Sequence, residues 1–180
     1  RRLQGKSDPT DAESAARTVL SGNATATPKL QSGVAEALRT LSVARRSAVK
    51  ARTQAINQLR SLLISAPDDL RERLWKAKPE QCVTGCAQLR NAESNVLLKT
   101  LTATLRLLAK RWLMLSAELK ELDATLDRLT SQSAKRLRNQ FGVGPQTAAV
   151  LIAVAGDNPE RLRNEAALAA LCGASPLQAS

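Results

Sequence analysis

Apolar residues recur at alternating spacings of three and four along residues 98–129, more regularly than anywhere else in the chain. Every a and d position over five heptads is Leu or Trp: Leu98, Leu101, Leu105, Leu108, Trp112, Leu115, Leu119, Leu122, Leu126 and Leu129. This period predicts a long helix with a coiled-coil seam, which ends where Ser133 and Arg136 take the next two positions. Two interpretations stay open: the seam packs only against another helix of its own chain, or it also pairs with a second chain.

A second long segment, 34–64, contains neither Gly nor Pro and predicts one helix of about 45 Å. Pro67 ends this helix, and Pro79 separates two shorter predicted helices at 68–77 and 80–90. We therefore expect long antiparallel helices, with short helices in the connection between them.

The last part of the chain differs in character, since it is rich in Ala and Gly and carries little charge. It predicts compact helices joined by tight Gly turns, which form a small second domain. The expected fold is mostly α, with long coiled-coil helices followed by a domain that contains a helix-hairpin-helix. The predicted divisions are an N-terminal segment 1–22, a linker 23–33, a helical coiled-coil region 34–137 and a C-terminal domain that starts at 138–180.

The composition narrows the possible functions. A formal net charge of +11 over 180 residues favours a polyanionic partner. The chain has no His, which excludes Ser-His-Asp and Cys-His catalysis and His-ligated zinc. Three cysteines are too few for a structural zinc site, so Cys82, Cys86 and Cys172 predict small buried thiols. No apolar stretch approaches the ~20 residues of a membrane span, so we expect a soluble, intracellular protein.

Cations concentrate on the predicted helix 34–64, which carries six of them against one acid, Glu36. Such an excess predicts contact with the phosphate backbone of DNA or RNA, and binding of that kind weakens steeply with salt. The alternative is an ordinary solvated helix face. The candidate nucleic-acid-binding residues here are Arg39, Arg45, Arg46, Lys50 and Arg52.

A Gly-Val-Gly-Pro turn follows the seam helix at Gly142, Val143 and Gly144, and Pro145 begins the next helix. This pattern is typical of a helix-hairpin-helix, in which turn amides and the following helix N-terminus bind a phosphate without reading bases. Val143 would anchor the turn, and Thr147 would lie in the first turn of that helix. The alternative is an ordinary tight turn between helices.

Two acids, Asp8 and Asp11, lie in the first turn of a predicted helix that Gly22 ends. Their spacing of three places them on one helix face. Acids at this place cap a helix and are favoured by its dipole, so the alternatives are capping and part of a divalent metal site. No further acid of the chain is obviously placed to complete such a site.

Three segments together resemble the DEDD-type insertion-sequence transposases, which are related to the Piv-type DNA invertases: GKSDPTDAESAA, RRSAVKARTQAINQLRSLL and FGVGPQTAAVLIAVAGDNPERLRNEAALAALCGASP. The resemblance implies an RNase-H-like N-terminal domain, of which 1–22 is the C-terminal remnant. It further implies a central coiled coil and a C-terminal transposase domain with a catalytic serine. We expect the coiled coil to pair subunits into a homodimer or a higher oligomer. DNA cleavage and rejoining, a bacterial cytoplasmic location at the nucleoid and, in some members, a structured guide RNA are also implied.

In this resemblance, Asp8 and Asp11 match the last two acids of a four-acid set that binds Mg²⁺. The family's serine stands before a Gly, in an SG or SSG motif a few residues after a Pro. By that spacing from Pro176, Ser180 matches the first, non-essential Ser, and the nucleophile would be the next residue. The catalytic candidates are thus Asp8, Asp11 and Ser180 or its successor.

The chain starts at Arg1 and not at Met, and it stops at Ser180 without a capping signal. We therefore expect a fragment truncated at both ends, which binds nucleic acid but is inactive alone. Two rival functions stay open: a non-enzymatic, dimeric architectural nucleic-acid-binding protein, and a structural coiled-coil protein whose charge is incidental.

Overall fold

The computed structural model describes residues 8–24, 28–90 and 95–174. These residues form eight α-helices and one 3-10 turn, Pro159–Arg161, and they contain no strand. The helices are α1 (Asp8–Leu20), α2 (Val34–Ile64), α3 (Asp68–Leu74), α4 (Pro79–Ala87), α5 (Val96–Ser133), α6 (Lys135–Arg138), α7 (Pro145–Ala155) and α8 (Glu165–Leu171). The mostly α fold is confirmed, and the helix predicted at 34–64 has the observed bounds.

Helices α2 and α5 form an antiparallel hairpin along most of their length. Leu38 near the start of α2 packs with Leu126 near the end of α5. Further along α2, Arg52 lies over the ring of Trp112 at 5.5 Å from its centroid. Residue numbers therefore increase along α2 in the direction in which they decrease along α5. Helices α3, α4 and α7 pack on this antiparallel hairpin.

The seam of α5 is rotated relative to the predicted one. Four of the five residues in its a row are buried, namely Leu105, Trp112, Leu119 and Leu126, and Leu98 is half-buried. Its d row is only half-buried: Leu101, Leu108, Leu115, Leu122 and Leu129. Small side chains one position after three of these leucines are buried instead: Thr102, Ala109 and Thr130. Because these side chains are small, neighbouring helices can approach closely on that side, and the d row keeps one side uncovered.

One end of the hairpin, called here the α4 end, is covered by α3 and α4. Thirteen buried residues form a continuous core there: Ala55, Ile56, Leu59, Leu63, Ala66, Leu70, Leu74, Cys82, Val83, Cys86, Leu105, Ala109 and Trp112. Burial and, to a smaller extent, the nearby Cys82 together raise the pKa of the Cys86 thiol to about 12. The prediction of buried thiols is right for these two cysteines and wrong for Cys172, which is exposed at the C-terminal end of α8, a helix without buried residues.

The opposite end of the hairpin, called here the α7 end, has a much smaller apolar cluster. Leu38, Leu126 and Ala149 are buried there, with Ile152 packed beside them. Helix α7 contacts both α2 and α5, and its N-terminus follows the short helix α6. The predicted domain boundaries stay predictions, while the contacts place α7 directly on the hairpin.

Candidate nucleic-acid interface

The cations of α2 fall into two groups in the structure. Arg46 and Lys50 are exposed and lie one helical turn apart on the outer face of α2. With Val43 and Ser47 they line a shallow groove of about 260 Å³. Two neighbouring cations beside an open groove are suited to contact consecutive phosphates of a nucleic-acid strand.

The other three predicted cations of α2 have partners within the chain. Arg45 is turned inward, and its Nε donates to Oδ1 of Asp123 on α5 at 2.5 Å. Arg52 is held over Trp112 by a cation–π contact. Arg39 donates to the Glu36 carboxylate, and this hydrogen bond lowers the pKa of Glu36 below its usual value. Only part of the predicted basic surface is therefore available to a phosphate without competition.

The predicted helix-hairpin-helix turn lies between α6 and α7. Gly142 has φ +80°, a left-handed conformation that favours glycine, and open space surrounds the Cα of both Gly142 and Gly144. The Val143 amide donates to the carbonyl of Gln140 at 3.1 Å, which closes the turn. Val143 itself is half-buried, so it anchors the turn only in part.

Arg138 holds this turn against the hairpin. Its Nη1 donates to the Val143 carbonyl at 3.2 Å, and its Nη2 donates to Oδ1 of Asp127 on α5 at 2.6 Å. Helix α7 then begins at Pro145, so the amides of its first turn, including that of Thr147, lack intrahelical acceptors. These amides point away from the helix towards solvent beside an open glycine turn, a geometry that accepts an anion.

Sequence reasoning missed three residues around the turn. Lys135 and Arg136 are exposed on α6, and Phe141 has a relative exposure of 107% at the tip of the turn. The available signal was the segment KRLR, two residues before FGVG, together with the absence of any acid between Asp127 and Asp157. The turn therefore lies next to two exposed cations, in a stretch of the chain that contains no acid.

The two predicted acids lie in the first turn of α1, on one exposed helix face. Asp8 and Asp11 present carboxylate oxygens, the donors that hard divalent cations prefer. Helix α1 has no buried residue, so its position owes little to packing. Within the described ranges, no group of three or more His, Cys, Asp or Glu side chains is placed to hold a metal ion.

Two family models match this chain. A model of the DEDD-type IS110 transposases matches residues 1–66, which include both acids and α2. A model described as the transposase IS116/IS110/IS902 family matches residues 134–180, which include the turn and α7. The chain belongs to the DEDD-type insertion-sequence transposases. No curated protein and no solved structure matches the chain.

The family acts in transposition of mobile elements, implies DNA binding and typically uses a divalent metal. Ser180 lies outside the described residues, as do its neighbours from position 175 onwards. Across the part of the chain that the structure describes, no helix is long and apolar enough to cross a membrane.

Hydrogen bonds join the predicted linker of the transposase to its C-terminal part. Sequence reasoning missed this second feature. Residues 28–35 and 153–158, called here the clasp, are connected by hydrogen bonds at the α7 end. Asp157 accepts from the amides of Gly33 at 3.2 Å and Ala35 at 2.8 Å. A hint of this contact is Gly33, which stands at the N-cap of a 31-residue helix and has no side chain to cap it.

Proposed function

We propose that this chain is part of a transposase that cleaves and rejoins DNA strands, and that it binds nucleic acid at the α7 end. The observation that carries the proposal is the open turn at Gly142 and Gly144, next to the exposed cations Lys135 and Arg136. Family membership supplies the DNA partner. Backbone amides and flexible cations contact phosphates without reading base sequence, as a helix-hairpin-helix does.

The outer face of α2 extends this interface. Arg46 and Lys50 lie within residues 1–66, which the first family model matches, and they line a groove. A structured guide RNA or the DNA itself would occupy this groove. Either polymer presents phosphates at regular spacing, and the contact would weaken with salt in both cases.

The metal chemistry would involve Asp8 and Asp11. Their exposed carboxylates fit Mg²⁺ as two of its oxygen ligands, and no other acid among the described residues is placed to complete the site. When bound, Mg²⁺ would stabilise the negative charge that develops on the scissile phosphate. The serine, Ser180 or the residue after it, would form the bond to phosphorus while the strand's bridging oxygen leaves with a proton.

The d row of α5 would pair with a second copy of the chain. Its five leucines are half-buried, and the neighbouring Leu107 and Met114 are exposed. A homodimer seam along these residues would cover apolar surface that the hairpin leaves uncovered. The protein would act at the bacterial nucleoid, where its DNA substrate lies.

Nucleic-acid binding and cleavage by the 180-residue chain test the proposal. We expect a fluorescently labelled DNA duplex to bind, with an affinity that falls steeply between about 50 and 200 mM salt. We also expect no strand cleavage with Mg²⁺, because the described acids do not complete a metal site. Binding that ignores salt would contradict the interface, and Mg²⁺-dependent cleavage by this chain would contradict the division of the active site.

A non-enzymatic architectural binder is the second candidate, since the described part of the chain has no three-ligand metal cluster. A chain extended upstream separates the two functions. If the extended protein carries the family's first Asp and Glu and cuts DNA with Mg²⁺, the transposase proposal stands. If the extended protein binds DNA but does not cut it with Mg²⁺, the architectural function is correct.

A further inference from the structure

The clasp caps α2 from a distant part of the chain. An N-cap side chain normally comes from the residue directly before the helix, but α2 has Gly33 there. Asp157, 124 residues away from Gly33, supplies the missing acceptor to the amides of Gly33 and Ala35. The contact is close, because a Cβ on Gly33 would lie 2.5 Å from Cγ of Asp157.

Asn158 contacts the linker itself. Its side chain is buried, its Nδ2 donates to the Pro28 carbonyl at 3.1 Å, and its Oδ1 accepts from the Leu30 amide at 3.4 Å. Lys29 adds a bond from its Nζ to the Ala153 carbonyl at 2.9 Å. These partners are outside α2, so the clasp does more than cap a helix: it fixes the path of the linker.

The chain that leaves the clasp is also held. Arg161 donates from Nη1 to the carbonyls of Val154 and Ala155, both at 2.8 Å, and so attaches the segment after the clasp to the end of α7. The segment before the clasp leads back to Asp8 and Asp11, and the segment after it leads on to Ser180. Both segments with catalytic candidates therefore leave the bundle from one place.

We propose that Asp157 and Asn158 are positioning residues, which keep the acid-bearing and serine-bearing segments of the transposase next to each other. This inference rests on the proposed function for its catalytic meaning. Its structural content is independent: without the clasp, the linker and the segment after α7 would separate although the hairpin stays folded. The α4 end, which holds most of the buried core, does not involve the clasp.

The test measures a distance in the 180-residue chain. One label is attached to the native, exposed Cys172 and the other to a Gln31→Cys variant, while Cys82 and Cys86 are fully buried and stay unlabelled. We expect one narrow distance distribution in the parent chain and a broad one in Asp157→Ala/Asn158→Ala. Asn95→Ala is the matched control, because Asn95 caps the other long helix by accepting from the Leu97 amide at 2.6 Å.

A second variant separates positioning from capping. Gly33→Ser in the Asp157→Ala background has room for its side chain and restores a local N-cap to α2. Asp157→Ala and Asn95→Ala should each lower Tm by about 2–6 °C, and Gly33→Ser should recover that loss. The distance distribution should stay broad when Gly33→Ser is added to Asp157→Ala/Asn158→Ala, and it should be narrow in Asn95→Ala.

Three results would overturn the proposal: a broad distribution in the parent chain, a narrow one in the double alanine variant, or recovery of the narrow distribution by Gly33→Ser. DNA binding is measured on the same samples. If the parent chain shows no salt-dependent DNA binding, the proposed function is wrong. The distance measurement still tests the clasp in that case, so the two failures are distinguishable.

Discussion

The two ends of the α2–α5 hairpin are held together in different ways. The α4 end has a core of thirteen buried residues, in which four helices contribute apolar side chains. The α7 end has three buried residues in its apolar cluster and depends on hydrogen bonds, above all those of the clasp and of Arg138. Apolar burial stabilises without strict geometry, whereas each hydrogen bond contributes only about 1 kcal/mol net and requires its partner in place.

The larger apolar core and most of the candidate interface residues therefore lie at opposite ends of the hairpin. Most of the described candidate residues belong to α1 or to the α7 end. The exceptions lie along the middle of α2: Arg45, Arg46, Lys50 and Arg52. An end held by few apolar contacts opens at a lower free energy than the core does.

The largest expected effect is on stability at the α4 end. Leu105→Ala should lower the free energy of unfolding by about 2–5 kcal/mol, because it leaves a cavity among fully buried neighbours. Leu126→Ala at the α7 end should cost less, since its cluster is small and can collapse. Urea denaturation measures both. An equal or larger cost for Leu126→Ala would contradict the asymmetry of the two ends.

A smaller effect is expected on binding at the other end. Replacing Lys135 and Arg136 with Gln should weaken DNA binding about 10-fold. The slope of log affinity against log salt concentration should become shallower by about two, since two phosphate contacts are lost. Arg73→Gln/Lys76→Gln removes the same charge from exposed positions at the α4 end and serves as the control. Fluorescence anisotropy across a salt series measures both pairs. Equal losses would show that net charge, and not the turn, decides binding.

The smallest effect is a pH dependence at the α4 end. Burial raises the pKa of Cys86 to about 12, whereas an unfolded thiol titrates near 9.0. Between these values the unfolded chain loses the proton and the folded chain keeps it, so stability should fall as pH rises through this window. Tm in the parent chain should decline more steeply than in Cys86→Ala, with Cys172→Ala as control. Parallel slopes in the parent chain and Cys86→Ala would rule out this thiol as the cause.

Helix existence was predictable because it follows from local patterns. The leucine repeat of α5 and the Gly-free and Pro-free α2 each produced the right helix, and the Gly142–Gly144 turn lies where its glycines predict. The rotation of the seam was not predictable, because it depends on Thr102 and Ala109 accepting the neighbouring helices. A heptad pattern counts large apolar residues and does not register where small ones allow close approach.

The positive charge of the candidate site was predictable from the sequence, but the ion pairs that its cations form within the chain were not. Whether Arg45 faces solvent or Asp123 is decided by the register of α2 against α5, and no local pattern carries that register. The same reason hid Asp157, whose partners are Gly33 and Ala35. The family resemblance identified Asp8 and Asp11 as candidate acids, and their metal-binding role stays a prediction.

The clasp also has a consequence for how the chain folds. Its hydrogen bonds join residues 122 to 130 positions apart, and closing so long a loop of unfolded chain is entropically costly. Once α2 and α5 have paired, the same ends are already close, so the clasp should close late, after the hairpin has nucleated around its large core. During synthesis the nascent chain would then complete its stable half before residues 153–158 arrive to join the two segments.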